Sequence, residues 1–164
     1  MKNKLLFFIF PLALILTACG EPEPLTQEKV DAINCQPGDL PEGQTYNAVE
    51  SRFPASTDIF LEGSPTLISN RTWNDIASTR QTFSCTIYVF AEVSIAQENM
   101  QTACGELKPP LQFPRNGDLS CRNGDQEVNL IFQKDEFIVW IWADYQGQGI
   151  ERVANRLEDR IRNP

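Results

Sequence analysis

The pattern of apolar and polar positions is clearest in the second half of the chain. From Thr82 to Phe90 the residues alternate, with Phe83, Cys85, Ile87 and Val89 on one side and Ser84, Thr86, Tyr88 and Phe90 on the other. A two-residue period rich in β-branched and aromatic side chains predicts a strand. The period then becomes helical: Ala96, Met100, Ala103 and Cys104 share one face of a helix predicted over 95–104. Ser94 and Gln97 have the spacing of a capping box, Gly105 stands where a left-handed cap would close the helix, and Lys108-Pro109-Pro110 forbids its continuation. Leu119 to Arg122, Val128 to Phe132 and Phe137 to Ala143 predict an antiparallel meander that turns at Asn123-Gly124-Asp125 and at Lys134-Asp135. Phe137 to Ala143 is apolar on both parities, as expected of a central strand covered on both sides. Past Gly147 and Gly149, Ile150, Val153, Ala154, Leu157 and Ile161 recur at helical spacing and predict a last amphipathic helix.

The first half is less regular. Thr26 caps a short helix predicted over Gln27 to Ile33, with Val30 and Ile33 on one face, and Gln36-Pro37-Gly38-Asp39 ends it. Between Pro41 and Trp73, Pro41, Gly43, Pro54, Gly63 and Pro65 interrupt any period. We expect loops there, a helical turn near Tyr46 to Phe53, and short strands around Ile59 and Leu67. The order of elements predicts an α+β domain: an antiparallel sheet with helices packed mainly on one face, a C-terminal helix and two disulfides.

Composition narrows the chemistry. The chain has 164 residues, 14 Lys plus Arg, 22 Asp plus Glu and no histidine. Without imidazole, Ser-His-Asp and Cys-His nucleophile systems and His-containing zinc sites are excluded. The sequence also lacks a Gly-rich phosphate loop, a G-x-S-x-G elbow and an S-x-x-K pair. We therefore expect no enzyme, no cofactor and no metal. A pair of facing carboxylates acting as a histidine-free hydrolase is the distant alternative.

The N-terminus carries an address. Lys2 and Lys4 precede Leu5 to Leu16, an apolar stretch of 12 residues that is too short to span a bilayer and has the layout of an export signal. Leu16-Thr17-Ala18-Cys19 follows and resembles the lipobox of bacterial lipoproteins. The resemblance covers about the first 20 residues only, and the remaining domain resembles no family specifically. It implies a cleaved signal peptide at 1–18, a lipidated N-terminus and short tether at 19–25, and one globular domain at 26–164. It further implies thioether-linked diacylglycerol on Cys19 and acylation, for instance by palmitate, of the new amino group. Two or three chains make such an anchor effectively permanent, at about 0.8 kcal/mol per buried methylene. The domain would then face the extracytoplasmic side of a bacterial cell membrane or outer membrane. Glu21-Pro22-Glu23-Pro24 is a stiff spacer, and at roughly 3 Å per residue it reaches only about 15 to 20 Å.

With Cys19 assigned to lipid, Cys35, Cys85, Cys104 and Cys121 remain, none in a C-x-x-C pair. In an exported domain they read as two disulfides. Three connectivities are open; chain proximity favours Cys104 with Cys121, leaving Cys35 with Cys85. Loss of Lys2 and Lys4 leaves 12 basic against 22 acidic residues, a net charge of −10. So acidic a domain is unsuited to nucleic acid or an anionic lipid surface and suited to a basic envelope protein.

Candidate sites are few. Trp140 and Trp142 share one parity and offer an aromatic platform if their face is open, with Trp73 as a possible third wall. Arg115-Asn116-Gly117-Asp118 recurs as Arg122-Asn123-Gly124-Asp125; the oxygens suit calcium, but the spacing does not, and Asn-Gly predicts tight turns. Arg152, Arg156 and Arg160 form a ladder interleaved with Glu151, Glu158 and Asp159, expected as a solvated, salt-bridged face. The leading expectation is a non-enzymatic, lipid-anchored protein that recognises a protein partner or stabilises an assembly at the membrane surface. A carrier or sensor for a small apolar or sugar ligand is the second.

Overall fold

The computed structural model describes residues 24–40, 48–51, 63–75, 81–107, 111–123, 127–144 and 149–163. In chain order these form α1 (Gln27–Ile33), a 3-10 turn (Pro37–Asp39), β1 (Ala48–Ser51), β2 (Leu67–Asp75), β3 (Gln81–Val89), α2 (Val93–Gly105), β4 (Leu111–Gln112), β5 (Leu119–Asn123), β6 (Val128–Lys134), β7 (Phe137–Ala143) and α3 (Ile150–Arg162). The expected signal segment and Cys19, and the strand expected around Ile59, lie outside the described residues.

The seven strands form one sheet in the order β1-β2-β3-β7-β6-β5-β4, with every neighbouring pair antiparallel. β7 lies at its centre, and the reason is visible in its composition. Phe137, Val139, Ile141 and Ala143 enter the core beneath α1 and α3, while Ile138 and Trp140 meet the residues beneath α2. The domain is thus α+β, with two of its three helices on one face and α2 on the other. All five stripe residues of α3 are buried, as their spacing requires.

Some local expectations are corrected. The described part of the segment near Tyr46 to Phe53, Ala48–Ser51, is a strand paired with β2 and not a helical turn. The short strand expected at Leu67 extends over nine residues. α2 begins at Val93 with Glu92 as its N-cap, so Ser94 lies inside the helix and its hydroxyl donates to the Glu92 carboxylate at 3.3 Å instead of closing a capping box. Gly105 is the last helical residue, followed by Glu106 in right-handed conformation, so no left-handed cap forms.

Both disulfides tie a segment outside the sheet to one of its strands. Cys35–Cys85 ties the chain after α1 to β3 across 50 residues, and Cys104–Cys121 ties α2 to β5 across 17. Closing loops of these lengths stabilises by about 4 and 3 kcal/mol in the chain-entropy model.

At seven residues, α1 is too short to persist alone, and its free carbonyls need donors. Arginines from elsewhere supply them. Arg71 of β2 donates to the carbonyls of Asp31 and Cys35, both at 3.1 Å, and Arg160 of α3 donates to those of Ile33 and Asn34 at 3.2 and 3.1 Å. Asp39 lies between α3 and this segment, its carboxylate 2.7 Å from Arg160 through both oxygens and 3.2 Å from Arg156. Two rungs of the expected solvated ladder therefore bind the N-terminal segment and not the acids interleaved on their own helix.

Candidate functional site

The sheet face turned toward α2 divides along its strands. Where β2 begins and β3 ends, Ile68, Tyr88, Phe90 and Ile138, with Cys121 and Ile131 of the neighbouring strands, meet Ala96, Met100, Ala103 and Leu107. Toward the other end of the strands the same parity becomes polar and aromatic. The register places Asn70 opposite Thr86, Thr72 opposite Ser84, Trp140 between Thr86 and Ile131, and Trp142 between Ser84 and Asn129.

Hydrogen bonds set this patch. The Trp140 indole N–H donates to Asn129 Oδ1 at 2.8 Å, and the Asn129 backbone and side-chain nitrogens both donate to Asn123 Oδ1 at 3.2 Å. The Thr72 hydroxyl donates to Asn70 Oδ1 at 3.2 Å. Thr72, Ser84 and Thr86 are buried, whereas Trp140 and Trp142 are each part-exposed. Burial pushes the nearby Tyr88 phenol up to about 12, a hydrogen bond with the Thr86 side chain offsetting part of the rise, so it stays neutral. Indole rings beside carboxamides and hydroxyls can stack on a ligand and hydrogen-bond to it.

Trp73 does not join them. Its parity places it on the opposite face, 3% exposed, with its ring 5.8 Å from that of Phe83 in the core beneath α1 and α3. Of the three tryptophans the structure brings two together. The polar partners Asn70, Thr72 and Asn129 escaped the sequence reading and Asn123 was read only as a turn residue, because only strand register shows that they share the Trp140 and Trp142 face.

The paired Arg-Asn-Gly-Asp segments are structural where they are described. Asn116 donates to Asn155 of α3 at 2.6 Å, and Gly117 turns with φ of +64°. Asp118 accepts from Lys134 at 2.9 Å and from the Asp135 N–H at 3.2 Å. The hydrogen bond from Lys134 holds the Asp118 carboxyl below the usual carboxylate range, and that contact raises the Lys134 ammonium in turn. Among the described residues no group of three or more Cys, Asp or Glu side chains is placed to hold a metal ion, and no helix is long and apolar enough to cross a membrane.

No protein-family model matches the chain, and no curated protein matches it. Among solved structures it is similar to one described as a GTP binding regulator from Thermotoga maritima, with a TM-score of 0.41 and 7% identity over 82% of this chain and 89% of that one. So remote a likeness carries no argument about activity.

Proposed function

We propose that the chain is a lipid-anchored protein of the extracytoplasmic side of a bacterial envelope, held by Cys19, that recognises a protein partner and converts no substrate. The observation that carries this reading is the disposition of cysteines. Four of the five pair into two disulfides, a state kept in oxidising compartments, and the fifth is the residue in the lipobox-like segment.

Geometry supports a direction of display. Leu25 packs against the core beside Leu67, so the tether enters at the end of the domain where β2 begins. Trp142 stands near the other end of β7, five residues beyond Phe137, or about 17 Å at strand rise. The part-exposed indoles would thus be held away from the lipid surface, where a partner can reach them.

The anchor is tested by replacing Cys19 with serine and following membrane fractionation and palmitate labelling. Wild type should label and sediment with membranes, and the variant should do neither; a variant that still takes label overturns the assignment. For recognition, Trp142→Ala should abolish crosslinks that a photoreactive group at Asn129 forms in the native envelope. A second reading, a sugar-binding face, is favoured by the placement of Trp142 between Ser84 and Asn129; glycan binding lost on Trp142→Ala would select it.

A further inference from the structure

At the tether end of the domain lies a recess of about 540 Å³ between the ends of β2 and β3 and the start of α2. Its walls include Leu25, Leu67, Phe90 and Val93, together with two acidic residues, Glu92 and Glu136. Val93 is 43% exposed, one of three large apolar side chains so open among the described residues. Glu92 is the N-cap of α2. Glu136 lies in the turn before β7, and its carbonyl accepts the Phe90 N–H at 3.0 Å, which fixes that turn to the end of β3. No lysine or arginine lines the recess.

Charge complementarity selects the occupant. Arg71, Arg122, Lys134, Arg156, Arg160 and Arg162 each have an acidic partner among the described residues, whereas Glu92 and Glu136 have no cationic one. An anionic lipid headgroup is repelled here. A lysine or arginine side chain instead lays its methylene stem on apolar walls and brings its charge to the carboxylates.

We propose that this recess docks a lysine- or arginine-bearing segment of a protein partner. The inference deepens the partner-recognition reading; the anchor contributes only the expectation that this segment lies within about 20 Å of the bilayer. The test uses the purified full chain in neutral detergent and a fluorescein-labelled ten-residue peptide of alternating lysine and leucine, followed by anisotropy. A peptide with glutamate in place of lysine, and vesicles of phosphatidylglycerol, are run alongside. Glu92→Gln with Glu136→Gln should weaken lysine-leucine binding by about tenfold or more. Glu106→Gln with Glu127→Gln, the same change in net charge at exposed sites away from the recess, should weaken it less than twofold.

Equal weakening by the two pairs would reduce the effect to overall charge and overturn the proposal, as would absence of lysine-leucine binding. Vesicle binding lost in the Glu92 and Glu136 pair alone would assign the recess to lipid and overturn it too. The Cys19→Ser chain should titrate like wild type, so failure of the recess and failure of the anchor are separable.

Discussion

Replacing Asp39 by asparagine removes the charge at the junction of α3 and the N-terminal segment. The side chain is 4% exposed and accepts two hydrogen bonds from Arg160, one from Arg156 and one from the Gln36 N–H. Breaking a fully buried pair costs about 3–5 kcal/mol, since the remaining charge is left unpaired. Arg160 is 30% and Arg156 44% exposed, so water recovers part of that loss. We expect about 2–3 kcal/mol, or a fall in Tm of roughly 6–12 °C for a domain of this size. Burial pushes the carboxyl up, but Arg160, the Gln36 N–H and Arg156 outweigh it and hold it below its ordinary 3.8. A lowered folded value means that the stabilisation is complete above pH 3.8 and lost as pH falls through the folded value. Urea unfolding with both disulfides intact, at pH 7 and at steps below 4, is the assay. A difference between wild type and Asp39→Asn under about 0.5 kcal/mol at pH 7, or one that does not shrink on acidification, refutes the reasoning.

Three further predictions follow from burial and backbone geometry. A Cβ at Gly117 would stand 2.2 Å from the Gln133 carbonyl oxygen at φ of +64°. Gly117→Ala should therefore cost at least about 2 kcal/mol in urea unfolding, whereas Gly38→Ala, with nothing within 4 Å, should stay within about 0.5. Cys104 is part-exposed whereas Cys35 and Cys85 are fully buried, so limited reduction of the native protein followed by alkylation and mass analysis should mark Cys104 and Cys121 first; the reverse order counts against the structure. In acrylamide quenching, replacing Trp140 and Trp142 by phenylalanine should remove most quenchable emission, and Trp73→Phe should leave it unchanged.

The legible elements were those whose burial follows one period. β3 and β7 carry apolar side chains at alternate or all positions, and the α3 stripe has no gap, so periodicity alone located them. The strand expected at Leu67 was legible only at its start, and the rest of β2 hid because its inward positions Ser69 and Arg71 are polar. In the structure Ser69 receives the Asn34 side chain at 2.9 Å on its hydroxyl, and Arg71 donates to carbonyls after and within α1, so these positions are bonded where an apolar strand would be packed. The pairing of Cys104 with Cys121 was readable from chain proximity. Which tryptophans share a face was not. The register Trp73 to Phe83 to Ala143 puts Trp73 among the α1- and α3-facing residues, and register is a property of strands taken together. The Arg160 to Asp39 contact spans 121 residues, a separation at which helix spacing rules are silent.

On the proposed reading, load from a membrane anchor reaches the domain at Leu25, immediately before its shortest α-helix. Seven helical residues contribute little resistance of their own. The fastenings around them are spread over three elements: Gln27 donates to the Ile68 carbonyl on β2 at 2.8 Å, Arg71 and Arg160 take carbonyls within and just after α1, and Cys35 is covalently bound to β3. Cationic guanidinium groups at the C-terminal end of α1 also meet the negative end of its dipole, which favours the helix where its own last turn has no basic residue. A pull on the tether loads α1 and its side-chain fastenings first, and if α1 peels away it is stopped at Cys35 and passed to β3, one strand from the centre of the sheet. The Cys35–Cys85 bond makes that path independent of α1 staying folded, which accounts for its place at the join between the anchored segment and the core.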